Sequence, residues 1–390
     1  MSQSKKRLIV SMATRFLTAM IVLFGFFNAA GGYSHARKSE VTTDSAAVTT
    51  KIGQMIMVGF RGFSVTADSP IIRDIQYNRI GGVILFDYDV PTHCPRRNIA
   101  SPGQVMHLTE SLQAAAAIPL FIAIDQEGGR VCRLKESQGF PPAPSQAELG
   151  RQNDPNVTRR TASLTADTLA TAGITVNFAP VVDLNVNPLN PVIGMLDRSF
   201  SADPAVVVRH ATIMIDAFHS CNLAAAVKHF PGHGSSATDS HEGFVDVTRT
   251  WTRRELEPFA RLIDSNRCDM IMTAHIVNRN LDKMYPATLS HTTLTTLLRK
   301  ELGFSGVIIS DDMQMKAIRS HYELADAAKR AINAGVDILL FANNTIFDEA
   351  IASRVVSLIT AMVDAGEIAE ESIDASYQRI MNLKTKLHHQ

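Results

Sequence analysis

The side chains best suited to chemistry lie between Lys228 and His241, where the chain reads K-H-F-P-G-H-G-S-S-A-T-D-S-H. An apolar run at 223–227 comes directly before them and predicts a buried strand, so Lys228 and His229 stand at a strand end and the rest forms a loop. Asp239 and His241 are separated by one residue and can meet across a turn. A carboxylate that fixes the tautomer of an imidazole, whose pKa is ordinarily near ~6.5, lets the ring exchange protons at neutral pH. This pair therefore predicts acid and base chemistry.

Two other interpretations of this loop remain open. His229, His233 and His241 offer nitrogen ligands for zinc, although no cysteine pair and no H-E-x-x-H helix accompanies them. The loop could also be a solvated connection without chemistry. A second polar site favours catalysis, because S-D-D-M-Q-M at 310–315 again follows an apolar run, at 306–309. Two sites at strand ends indicate one shared active face.

Short apolar runs alternate with helical stretches along the chain. The segments 157–172 and 204–219 have apolar residues at helical spacing, and several such segments open after Asp or Ser followed by Pro. Eight strands alternating with helices predict an α/β fold, a closed (β/α)8 TIM-type barrel that forms a single catalytic domain over residues 51–390. An amphipathic stretch, 370–387, is predicted to close the barrel wall. The runs are 54–59, 82–86, 120–124, 175–181, 224–229, 270–274, 306–310 and 338–341.

Polar side chains follow most of these predicted strands. Barrel enzymes carry their active sites on the loops at the carboxyl ends of the strands, so these residues are predicted to converge there. A buried structural ion pair could account for a polar residue at any one of these positions. It accounts poorly for five such positions that converge at one end of the barrel. The glycines near Asp125 lack the spacing of a phosphate-binding loop and are interpreted as a sharp turn that aims Asp125 and Arg133 into one pocket. The strand-end residues are Asp125, Asp183, Lys228 with His229, His275 and Asp311.

Composition and the N-terminus indicate the compartment and the kind of substrate. Lys and Arg number 38, as do Asp and Glu, so no bulk charge favours nucleic acid or an anionic membrane, and a neutral substrate fits better. Residues 1–33 pair a basic start with a short apolar block, which predicts a signal peptide or N-terminal anchor and therefore an exported protein, periplasmic or secreted. The Ser, Thr and Ala-rich stretch 34–50 is predicted to be a linker.

Four cysteines follow the predicted leader. An exported chain can oxidise them, and four cysteines allow three pairings. Their places relative to the predicted strands favour pairing Cys94 with Cys132 and Cys221 with Cys268. The alternative is that all four are free, buried thiols.

Three motifs together resemble a known family. K-H-F-P-G-H-G with D-S-H, I-D-Q-E-G-G-R-V at 124–131 and S-D-D-M-Q-M are similar to the motifs of single-domain glycoside hydrolase family 3 enzymes of the β-N-acetylglucosaminidase branch, and the resemblance runs from about Lys51 to the C-terminal helix. It implies a retaining β-N-acetylhexosaminidase that removes terminal β-linked N-acetylglucosamine from an oligosaccharide or muropeptide without a metal or organic cofactor.

The resemblance also implies roles for individual residues. Asp311 is the expected nucleophile, while Asp312 supports the turn. His241 is the expected acid and base, with Asp239 orienting it. Sugar hydroxyls are expected to be held by Asp125, Arg133, Arg198, Lys228 and His229.

One motif departs from the family pattern. The usual N-P-V-I-G-x-R-S-F reads N-P-V-I-G-M-L-D-R-S-F here, at 190–200, which is two residues longer between Gly194 and Arg198. Arg198 is therefore expected to approach the sugar from a shifted loop.

Three other functions remain open: a β-glucosidase, an N-acetylglucosaminide phosphorylase that uses phosphate in place of water, and a catalytically silent sugar-binding protein. The last has no need of Asp311, Asp239 and His241 together.

Overall fold

The computed structural model describes residues 47–239, 243 and 245–388. The predicted leader, 1–33, and most of the predicted linker lie outside this range. Residues 47–50, the last four of that linker, form the first turn of a helix, α1, over 47–54. Contacts within the chain separate a unit Met1–Thr49 from a unit Thr50–Gln390, and the second unit is described below. No helix within the described residues is long and apolar enough to cross a membrane.

Eight parallel strands of this unit form a barrel, as the sequence predicts. Their order around the sheet is β11-β9-β7-β6-β3-β2-β1-β12. A parallel bridge between Ile309 and Ile338 joins the two end strands and closes the ring. The barrel strands are β1 (Ile56–Gly59), β2 (Gly82–Leu85), β3 (Phe121–Ile124), β6 (Val176–Asn177), β7 (Ala224–Phe230), β9 (Met270–Thr273), β11 (Val307–Ile309) and β12 (Leu339–Phe341); β4 (Gln126–Gly128) pairs with β5 (Val131–Cys132), and β8 (Val245–Asp246) with β10 (Ile276–Val277).

All eight predicted strands are present, with trimmed ends. Every residue of the barrel strands is buried, which explains why these segments read as continuous apolar runs. The predicted strand 175–181 is the least accurate, because β6 contains two residues. Pro180 has no N–H to donate to a sheet ladder, and beyond it Val181 makes a single bridge to Lys228.

Helices surround the barrel. Three of them begin with Pro after a capping residue: the Ser101 side chain accepts from Gln104 N, Asp154 from Asn156 N and Asp203 from Ala205 N. These caps explain the Asp-Pro and Ser-Pro signals. The helices are α2 (Pro70–Arg73), α3 (Pro102–Ala114), α4 (Gln146–Gln152), α5 (Pro155–Thr171), α6 (Pro204–His219), α7 (Glu257–Asp264), α8 (Lys316–Arg319), α9 (Leu324–Ala334), α10 (Ile351–Asp364) and α11 (Glu370–His388), with π-helical segments Asp74–Asn78 and Thr292–Glu301 and 3₁₀ turns Glu136–Gln138, Arg253–Leu256 and Ala287–Leu289.

The predicted closing helix is α11. Its side chains form hydrogen bonds with residues that precede the amino ends of the strands. Ser376 Oγ and Arg379 Nε both donate to Asp337, which precedes β12. Lys384 Nζ donates to Gln54 Oε1 and to the carbonyl of Gly81, which precede β1 and β2. This end of the barrel is therefore held by buried polar contacts, and the opposite end is left for the site.

Candidate active site

A cavity of about 350 Å³ opens at the carboxyl ends of the barrel strands. Seven of the eight predicted site residues line it together, at the end of the barrel where active sites are expected. Of the strand-end residues predicted to converge, Asp183 and His275 are not among its lining residues. The eighth, His241, lies outside the described residues. The seven are Asp125, Arg133, Arg198, Lys228, His229, Asp239 and Asp311.

A buried ion-pair network forms one wall of this cavity. Lys228 Nζ lies 2.7 Å from Asp125 Oδ1 and 2.6 Å from Glu127 Oε1. Arg198 meets the same Glu127 with two parallel bonds, Nε to Oε2 and NH2 to Oε1, each 2.7 Å long. The side chain of Glu127 is 1% exposed, and no role for it was predicted from the sequence. Its position directly before the two glycines of D-Q-E-G-G-R is the signal that could have indicated a function.

The charges in this network fix the ionisation of its carboxyl groups. Burial raises the pKa of Glu127, but the cations Arg198 and Lys228 outweigh burial and bring the pKa to about 2. For Asp125 burial likewise raises the pKa, and Lys228 and Arg133 reverse the effect, so the net direction is downward. Both carboxylates are therefore charged at neutral pH and can accept hydrogen bonds from hydroxyl groups.

His229 is held in one orientation by Asp183. Its Nδ1 lies 2.6 Å from Asp183 Oδ2, and this carboxylate also accepts the main-chain N–H groups of His229 and His233. The Nε2 atom of His229 lies 3.2 Å from an Arg198 nitrogen, which can only donate. This geometry assigns the proton to Nδ1 and leaves Nε2 as an acceptor. Asp183, a predicted strand-end residue, therefore acts from behind the cavity.

Asp311 projects from a turn that its neighbour supports. Asp311 Oδ1 accepts the main-chain N–H of Asp312 at 2.7 Å. Asp312 Oδ1 accepts the N–H groups of Gln314 and Ala342, each at 3.0 Å. The supporting role predicted for Asp312 is thus visible in its contacts.

Arg133 reaches the cavity between two carboxylates. Its guanidinium lies 3.5 Å from Asp125 and 3.7 Å from Asp87, and it stacks over the Phe86 ring at 5.5 Å. Asp87 also pairs closely with Lys135. The sequence analysis did not single out Asp87, although it follows β2 as Asp125 follows β3.

The lengthened loop brings Arg198 to the wall of the cavity. Its main chain folds on itself, with Asp197 N donating to Gly194 O at 3.1 Å and Arg198 N to Ile193 O at 3.1 Å. Asp197 turns the chain with a φ of 56°. Arg198 bonds to Glu127 from this loop, and Leu196, two residues before it, also lines the cavity.

The glycines of K-H-F-P-G-H-G allow tight packing beneath the cavity. A Cβ on Gly234 would lie 1.7 Å from the carbonyl oxygen of Leu184. Gly232 has a φ of 116°, in the region that favours glycine. The loop can therefore fold back against the segment after β6.

His233 lies in a buried position. Neither of its ring nitrogens has a hydrogen-bond partner in the described part of the chain, and burial lowers its pKa to about 4. In His229, by contrast, Nδ1 lies 2.6 Å from Asp183 and Nε2 lies 3.2 Å from Arg198, so neither nitrogen of that ring is free to bind a metal ion. Within residues 47–239, 243 and 245–388, no group of three His, Cys, Asp or Glu side chains is arranged to hold a metal ion.

The favoured disulfide pairing is wrong in this structure, where all four cysteines are free thiols. Cys132 Sγ instead donates to the carbonyl of Leu134 at 3.2 Å, and Cys221 Sγ lies 3.4 Å from Asp167. Burial raises the pKa of Cys132 and, more strongly, that of Cys268. Position relative to strands does not determine the distance between two Cβ atoms, which is what decides pairing.

The family of the chain follows from its match over the whole barrel. Residues 47–383 match the model of the Glycosyl hydrolase family 3 N terminal domain. The chain belongs to this family. Family 3 membership agrees with the resemblance inferred from the three motifs.

The chain is similar to named relatives and to solved structures. The chain is 36% identical to the Beta-hexosaminidase A of Pseudoalteromonas piscicida, over 91% of this chain and 63% of that protein. A family 3 β-N-acetylglucosaminidase structure from Paenibacillus sp. matches 87% of this chain and 62% of its own, with a TM-score of 0.78 and 36% identity. The β-N-acetylhexosaminidase structure from Beutenbergia cavernae has a TM-score of 0.78 and 28% identity, and the match covers 87% of this chain and 98% of that one. The chain thus spans less than two thirds of the first two proteins and nearly all of the third.

Proposed function

We propose that the chain is a retaining β-N-acetylhexosaminidase that hydrolyses terminal β-linked N-acetylglucosamine through a covalent glycosyl-enzyme. The observation that carries the proposal is the meeting of Asp311 and Asp239 in one cavity with the five predicted sugar-holding residues. Similarity to proteins named beta-hexosaminidase and β-N-acetylglucosaminidase supports the same substrate. Oligosaccharides or muropeptides that end in this sugar are the proposed substrates.

The proposed reaction has two displacements at the anomeric carbon. In the first, an Asp311 oxygen bonds to that carbon, the glycosidic bond breaks, and the departing oxygen takes a proton from His241. In the second, water gives its proton to His241 and attacks the same carbon, and the bond to Asp311 breaks. Two inversions retain the configuration. Asp239 is proposed to orient His241, because the D-S-H spacing allows the two side chains to meet across a turn.

The charges of the cavity favour water over phosphate as the acceptor. Lys228 is paired with Asp125 and Glu127, and Arg198 with Glu127. Arg133 lies near both Asp125 and Asp87. Each of these cations is already neutralised by a carboxylate, so a phosphate would enter beside anions. A neutral sugar that hydrogen-bonds to the paired groups fits better.

Substrate choice tests the assignment directly. The kcat/KM for para-nitrophenyl N-acetyl-β-glucosaminide should exceed that for the β-glucoside at least ten-fold, or roughly 1.4 kcal/mol in the transition state. A preference for the plain glucoside or xyloside contradicts the substrate and leaves the retaining mechanism intact. With phosphate added, the product should remain free N-acetylglucosamine, and formation of the 1-phosphate would favour the phosphorylase.

The nucleophile is tested by a pair of neighbouring substitutions. Asp311→Ala should abolish nearly all turnover, whereas Asp312→Ala should retain more, because Asp312 acts through main-chain contacts. Mass spectrometry after reaction with a slow fluorinated substrate should find the sugar on Asp311. The reverse ranking, or a label on another residue, would overturn the assignment.

Export is proposed from the N-terminal sequence alone. The signal-like residues 1–33 should be absent from protein recovered from the periplasm or the medium of the producing cell. N-terminal sequencing of that fraction checks this. Activity confined to the cytoplasmic fraction would contradict it.

A further inference from the structure

A buried histidine lies behind the turn that carries Asp311. His275 follows β9 and is 2% exposed. The cavity is lined by Met272 from the same strand, whereas His275 is not among its lining residues. Any effect of its ring on the cavity is therefore exerted through other residues.

The ring bonds to the main chain of the nucleophile turn. His275 Nε2 lies 2.9 Å from the carbonyl oxygen of Asp312. A carbonyl oxygen only accepts, so Nε2 must carry a proton. Asp312 is thereby held on both sides, because its N–H donates to Asp311 Oδ1 and its carbonyl accepts from His275.

The other face of the ring is held just as firmly. Since Nε2 carries the ring proton, Nδ1 accepts the single hydroxyl hydrogen of Thr288, whose Oγ1 lies 2.7 Å away. Thr288 Oγ1 can in turn accept from the Thr273 hydroxyl at 2.8 Å. Both threonines are fully buried. The ring cannot rotate without breaking bonds at both nitrogens, and a buried donor left without a partner is unfavourable.

We infer that His275 is a positioning residue for the nucleophile: its Nε2–H fixes the Asp312 carbonyl, and through Asp312 it fixes the direction of the Asp311 carboxylate. This inference rests on the proposed function, in which Asp311 attacks the sugar. A nucleophile displaced by about 1 Å loses on the order of 10²-fold in rate, so loss of this bond should slow the covalent step and leave sugar binding nearly unchanged.

Two amide substitutions separate the hydrogen bond from simple packing. Gln places its side-chain nitrogen near the position of His Nε2, whereas Asn reaches only as far as Nδ1. His275→Asn should therefore lower the rate of covalent labelling of Asp311 by about 10- to 100-fold with KM within about 3-fold, and His275→Gln should stay within about 5-fold of wild type.

A matched control exists in α6. His210 is also fully buried and its Nδ1 lies 2.7 Å from Thr158 Oγ1, the same pairing as in His275, but it lies on a surrounding helix. His210→Asn should lower the melting temperature and keep the wild-type labelling rate. A wild-type rate in His275→Asn, or equal losses in the Asn and Gln variants, would overturn the inference.

A second variant and the labelling of the wild-type protein complete the test. If His275→Asn does not fold, Thr288→Val removes the partner of Nδ1 and should slow labelling about 3- to 10-fold; an unchanged rate overturns the inference. If wild-type protein turns over substrate without a label on Asp311, the proposed nucleophile is wrong and the role of His275 falls with it. A label on Asp311 that forms equally fast in all variants refutes the inference about His275 alone.

Discussion

Replacing Glu127 with Gln isolates the central charge of the ion-pair network. Glu127 Oε1 accepts from both Lys228 and Arg198, and Oε2 accepts from Arg198. Either orientation of a glutamine amide would turn its NH₂ group toward a cation. Within the described residues, Lys228 would keep its ion pair with Asp125, and Arg198 would lose its bidentate partner.

The size of the effect follows from the pKa of Glu127. Its pKa falls from 4.5 to about 2 in the folded protein, and at 1.36 kcal/mol per pKa unit this corresponds to roughly 3 kcal/mol of stability at neutral pH. Removing one partner of a buried ion pair is ordinarily unfavourable by about 3 to 5 kcal/mol, which agrees. Glu127→Gln should therefore lower the free energy of unfolding at pH 7 by about 3 kcal/mol and raise KM.

The pH dependence gives this prediction its sign. A carboxyl group with a depressed folded pKa stabilises the fold above its unfolded pKa and loses that contribution as pH falls from about 4.5 toward about 2. The difference between wild type and variant in urea unfolding should thus be constant from pH 8 to 6 and smaller by about 1 kcal/mol at pH 4. Glu136→Gln, an exposed control, should change stability by less than about 0.5 kcal/mol. The reasoning is refuted if Glu127→Gln lowers the free energy of unfolding by less than about 0.5 kcal/mol, or if the stability difference between wild type and this variant grows at low pH.

Three more predictions follow from particular contacts. Asp183→Asn replaces one of two acceptor oxygens with an NH₂ group, which then faces either the Nδ1–H of His229 or the main-chain N–H of His233. This change should lower kcat/KM on the nitrophenyl substrate by about 10- to 100-fold, mainly through KM, and an unchanged KM counts against it. Burial lowers the pKa of Lys384 to about 7, so the unfolded chain binds more protons than the folded protein between about pH 7 and 10.5. In urea unfolding, the free energy of unfolding of wild type should therefore rise by about 2 kcal/mol relative to that of Lys384→Met from pH 7 to 9. Parallel pH profiles would mean that the bonds to Gln54 and Gly81 offset burial. Thiol titration of the unreduced, denatured protein should find all four cysteines, and a linked Cys94 to Cys132 peptide in a tryptic map would contradict the structure.

The barrel was predictable from the sequence because its strands are buried on both faces. Complete burial requires apolar residues at successive positions, so each of the eight strands left a run that can be read without its neighbours. Helix starts were equally local, since Asp154 and Asp203 cap the N–H groups two residues further on. The fold then places strand ends together, which is why Asp125, Lys228 and Asp311 could be assigned to one cavity before any distance was known.

Only the tertiary structure decided how the charges of the site are compensated. Glu127 and Arg198 are 71 residues apart, His229 and Asp183 are 46 apart, and His275 and Asp312 are 37 apart. A charge or a donor inside a protein must find its partner in space, and any carboxylate or carbonyl that the fold brings within about 3 Å will serve. The sequence by itself assigned Asp125, Lys228 and Asp311 to the barrel mouth; the closed sheet added Glu127 and Asp87 and determined which groups neutralise, orient and support one another.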